Sequence, residues 1–121
     1  MNPSKLARLA AKLDYETLEG KVHWIAGPPP ADLVRGTDDV ITTVFETEYN
    51  TIGIRVFEKR VKVWIDDVTA CWEHNTVIQF LGDRGGANWD ATNITGVYQL
   101  IDTIKLVTCR VENKIAAILA A

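Results

Sequence analysis

The sequence predicts an α+β domain: an N-terminal helix, an antiparallel β-meander of four to five strands, and a long C-terminal helix packed on one sheet face. Three observations carry that reading. Apolar residues follow helical spacing at both ends, β-branched residues and period-2 alternation dominate the middle, and the connections within the meander are short. A chain of 121 residues suits one domain, 1–121, that buries roughly two thirds of its unfolded surface. Its 47% apolar and 24% charged residues exclude disorder and a disulfide scaffold.

Ser4 suits a helix N-cap, and Leu6, Leu9, Ala10 and Leu13 follow at helical spacing, which predicts a helix over 4–14. Tyr15, Leu18, Val22 and Ile25 continue that spacing on the opposite face. The helix is therefore expected to bend near Asp14 or to lie between two surfaces. Gly27 and the run Pro28-Pro29-Pro30 end it. Residues 28–39 read as a stiff connector. The proline run alone, without flanking recognition residues, is a weak sign of docking to an aromatic groove.

From Val40 the residue types favour strands. Val40–Tyr49 is one. Ile52, Ile54 and Val56 alternate through a second, and Val61, Val63 and Ile65 through a third, with Glu58-Lys59 turning the chain between them. Residues 68–73 and 76–81 form a further pair around a turn at His74-Asn75. Residues 82–90 make one long irregular loop. Ile94, Val97, Ile101, Ile104, Val111, Ile115 and Ile118 then fall at heptad-like offsets, predicting one continuous helix over about 25 residues. The competing reading makes 103–111 a strand, because five of those nine residues are β-branched. After Gly96 no Gly or Pro interrupts the stripe, which favours the helix.

The net charge of −3 argues against a dedicated duplex-DNA binder. Alternation across the expected hairpin sets Arg55, Phe57, Arg60, Lys62 and Trp64 on one face, a local basic and aromatic stripe. The acids Asp38, Asp39, Glu46 and Glu48 on the neighbouring strand are expected to dilute its field, so nucleic acid is not the favoured partner. Cys71 and Cys109 form no C-x-x-C pair and read as free, buried thiols. Met1–Leu13 lacks an apolar signal core, and no stretch approaches a membrane span, so a cytoplasmic protein is expected.

One cluster has the residue types of a site. Trp64, Asp66, Trp72, His74, Trp89 and Asp90 lie within one short stretch, and a carboxylate beside an indole is a standard way to raise a pKa. These six are the candidate lining of a ligand pocket. Their spacing matches no metal, nucleophile or cofactor motif, and two histidines exclude a three-histidine metal site within one chain. No metal and no cofactor is assigned. The loop Gly82-Asp83-Arg84-Gly85-Gly86 lacks the Lys-Ser/Thr of a phosphate loop and reads first as a connector. The leading functional reading is a small binding or protein-interaction domain, homodimeric through its C-terminal helix. The alternative is a small ligand-binding or hydrolase-like enzyme with the Trp/acid-lined pocket inside a curled sheet, taking a small-molecule ligand.

Overall fold

A computed structural model describes residues 3–121. The N-terminal targeting-segment reading begins at Met1 and Asn2, which lie outside the described residues. The chain is α+β. Helix α1 (Pro3–Leu18) leads into a five-stranded antiparallel meander: β1 (Ile25–Gly27), β2 (Val40–Tyr49), β3 (Ile52–Trp64), β4 (Ala70–Phe80) and β5 (Trp89–Thr92). A four-residue helix, α2 (Ala31–Val34), interrupts the β1–β2 connection. Helices α3 (Val97–Cys109) and α4 (Val111–Ala120) follow the sheet.

Helix α1 stops at Leu18 rather than continuing to Ile25. Gly20 adopts φ 76°, the Gly20 amide donates to the Thr17 carbonyl, and the Lys21 amide donates to the Glu16 carbonyl. This is a glycine-terminated helix end in the left-handed conformation. The second apolar set is therefore split. Val22 and Trp24 are buried, while Tyr15, Leu18 and Ile25 stay exposed. The Trp24 indole N–H donates to Thr17 Oγ1 at 3.0 Å, and that hydroxyl donates to the Leu13 carbonyl at 2.6 Å.

The largest correction concerns β3. No turn forms at Glu58-Lys59; the strand runs straight from Ile52 to Trp64, in the middle of the sheet. The turn lies instead at 65–69, where Asp66 Oδ1 accepts the Val68 and Thr69 amides at 2.9 and 2.7 Å. His74-Asn75 is accordingly mid-strand in β4. Parity then separates residues that a hairpin would have grouped. Ile54 and Val56 join one core, with Phe45, Ile78, Ala10 and Leu13 of α1, and Val97, Leu100, Ile101 and Ile104 of α3. Phe57 joins a second core on the opposite face with Ile41, Val44 and Val77, covered by Leu33 and Val34 of α2. The proline-led connector thus supplies the lid of that second core. Val61 and Val63 follow Phe57's parity and are half-buried.

Two further expectations change. The end of the 82–90 loop is the start of strand β5, which pairs with the end of β4, Phe80 opposite Trp89. A Cβ on Gly82 would collide with the Gly86 carbonyl, so this close return requires glycine there. The C-terminal helix is not continuous. Residues 103–109 are helical, not extended, but Arg110 adopts φ 54°, ψ 44° and divides α3 from α4. Cys71 and Cys109 are free, as expected, but exposed.

Candidate interaction surfaces

The six candidate pocket residues do not converge. In the β3–β4 register, Arg60 pairs with His74, Lys62 with Trp72, and Trp64 with Ala70. Trp64, Trp72 and His74 therefore share one face, near the 65–69 turn. Asp66 sits in that turn, where the amides of Val68 and Thr69 hold its carboxyl below the usual range. Trp89 and Asp90 lie at the other end of β4, opposite Phe80 and Gln79. Eight residues of strand, about 26 Å, separate Trp72 from Phe80. Trp89 packs on Phe80 with ring centroids 6.0 Å apart. The described residues hold no group of three or more His, Cys, Asp or Glu placed to share a metal ion.

The pairing pattern explains what the distal half of the hairpin is. Strand β2 reaches β3 only as far as Arg60, and β5 reaches β4 only between Val77 and Phe80. Residues 61–64 and 70–73 thus continue as a two-stranded arm. Trp64 is 56% and Trp72 45% exposed. The Lys62 ammonium lies 4.6 Å from the Trp64 ring centre, and the Arg60 guanidinium 5.3 Å from that of Trp72. The basic stripe is divided by the same parity. Arg55 stands on the other face, bound to Glu46 at 3.1 Å and Gln79 at 3.2 Å.

At the base of the arm, Glu58 accepts hydrogen bonds from His74 Nε2 at 2.7 Å and Lys105 Nζ at 2.9 Å. Partial burial pushes the Glu58 carboxyl up, but the Lys105 and His74 hydrogen bonds outweigh it and hold the group below its ordinary range. The Glu58 bond raises Lys105 in turn. This cluster ties α3 to β3. An open cavity beside it is lined by Val40, Thr42, Glu58, Arg60 and His74.

The second uncovered surface is α4. None of its residues is buried: Ile115 is 50%, Ile118 72% and Leu119 79% exposed. Leu106 and Val107 at the end of α3 and Leu18 at the end of α1 are also exposed, and with Arg110, Glu112 and Asn113 they line an open groove of about 250 Å3. Sequence periodicity found α4 but not the break before it, because Arg110 carries none of the usual signals of a left-handed helix end.

Comparison of the chain with protein-family models, with curated proteins and with solved structures gives no match in any of the three. No helix among the described residues is long and apolar enough to cross a membrane.

Proposed function

We propose that this chain is a small binding domain that works as a homodimer, with α4 as the dimerisation element. The observation that carries the reading is an apolar helix with no buried residue. A second copy is the occupant that α4 itself suits. Residues 115–121 carry no charge, so two copies can meet without burying an unpaired ion. Ala116, Ala117 and Ala120 let helix backbones approach closely. A two-fold interface uses the same patch twice, and one apolar stripe covers its own copy. Two exposed free thiols suit a reducing, cytoplasmic setting.

The ligand-pocket alternative needs Trp64, Asp66, Trp72, His74, Trp89 and Asp90 around one cavity, and their placement at two ends of β4 lends it no support. Deletion of residues 115–121 tests the dimer reading. Light scattering is expected to give a dimer for the full chain and a monomer for the truncated one. A full chain already monomeric at tens of micromolar, or a deletion that only lowers the melting temperature, contradicts it.

A further inference from the structure

The geometry points to the distal β3–β4 arm as a binding face for single-stranded nucleic acid, with Trp64 and Trp72 stacking bases and Arg60 and Lys62 holding phosphates. This surface is separate from α4 and does not depend on dimerisation.

The face is cationic once the two sides of the sheet are distinguished. Of the acids expected to dilute its field, Asp39, Glu46 and Glu48 stand on the other face or are already paired, while Asp38 is exposed in the connection before β2. Asp39 is 3.8 Å from Lys59, and Glu46 is bound to Arg55. Glu48 pairs with Gly53, and Glu73 with Val61, both at positions of the opposite parity. On the arm's own face, Glu58 is the acid, and His74 and Lys105 already occupy its carboxylate. Arg60 and Lys62 form no ion pair among the described residues. Their contacts are the two indole rings.

The spacing selects single strands. Lys62 and Trp72 form one cross-strand row and Trp64 and Ala70 the next. Successive rows on one face are about 6.6 Å apart, two residues of strand. Bases in a duplex are about 3.4 Å apart. Two indoles in successive rows therefore suit bases that have left a stack, the form in which sheet-face aromatics take single strands. The Lys62 ammonium lies over one face of the Trp64 ring and the Arg60 guanidinium over one face of the Trp72 ring, so a base would stack on the opposite face of each indole, with the cation left to meet a flanking phosphate. An anionic membrane fits less well, because it offers no base to stack on either indole; Asp66 and Asp67 at the tip confine the cationic stretch to Arg60 and Lys62, short of the turn. An acidic protein segment would satisfy the cations but leave the stacking positions unused.

The test is fluorescence anisotropy of a labelled oligo-dT and an oligo-rU of about twelve nucleotides, at about 50 mM salt. Saturable binding to the full chain is expected. Trp64→Ala and Trp72→Ala should each weaken it at least about fivefold, and Trp72→Phe should restore most of the loss. Lys62→Gln should reduce the salt slope by about 0.7. Circular dichroism checks that each variant is folded, and Trp72→Phe and Lys62→Gln keep the test decisive should an alanine variant unfold. No binding at about 100 μM overturns the assignment. So does binding indifferent to both tryptophans, equal affinity for duplex, or equal competition by poly-glutamate, which would point to an acidic protein partner.

Discussion

Helices α3 and α4 are consecutive, both apolar along one stripe, and opposite in fate. Helix α3 buries Val97, Leu100, Ile101, Thr103 and Ile104; α4 buries nothing. The difference lies in position, not composition. Helix α3 follows β5 directly and runs beside α1, with Gly96 close enough that a Cβ there would stand 3.4 Å from the Ala10 methyl. Helix α4 starts after a left-handed residue that redirects the chain away from both. Apolar periodicity says which face of a helix must be covered; only the path of the backbone says whether the same chain covers it.

Core truncation gives the largest contrast between the two. Ile104→Ala should cost about 2–5 kcal/mol in chemical denaturation, from lost transfer energy and residual cavity. Ile118→Ala, measured dilute enough to keep the chain monomeric, should stay within about 0.5 kcal/mol. Comparable losses would mean that α4 docks within its own chain.

The junction comes next. A non-glycine residue in the left-handed region costs about 1–2 kcal/mol, part of which glycine regains by lacking a Cβ and loses through its freer unfolded chain. Arg110→Gly should stabilise the monomer by about 0.5 kcal/mol, read as a higher midpoint at unchanged m-value. A destabilised Arg110→Gly would show that α3 and α4 prefer to run on as one helix.

The electrostatic tie of α3 is the smallest effect. Glu58 is held low, so its contribution is present above the unfolded carboxyl value of about 4.3 and is lost as pH falls through the lower folded value. Lys105 is held high, so its contribution is present below about 10.4 and is lost as pH rises through the higher folded value. Glu58→Gln should flatten both limbs of the stability-against-pH curve. Unchanged limbs would mean that the contact is screened away in solution.

Much of this is legible in the residues, and each difference has its own physical cause. Alternation placed the sheet, but alternation around Glu58-Lys59 reads equally as a turn or as a strand that crosses from one core to another. Phe57 and Val56, both buried, mark such a crossing, and a one-core picture has no place for two adjacent buried side chains. The second core was missed because its cover is Leu33 and Val34 in a proline-led connector, where burial is not expected. Gly20, a glycine just past the last helical turn, is the residue that marks the end of α1, whereas the apolar pattern runs on beyond it to Ile25. The candidate site residues were grouped by sequence distance, whereas an eleven-residue strand holds its two ends far apart.

Self-association through α4 is tested most directly by sedimentation equilibrium of the full chain across a concentration series, alongside Ile118→Glu. The full chain should approach twice the 13.5 kDa of one copy, and the variant should remain at one copy with an unchanged far-ultraviolet spectrum. A full-length protein that stays at 13.5 kDa throughout, or a variant that dimerises as well as the parent, would contradict the account.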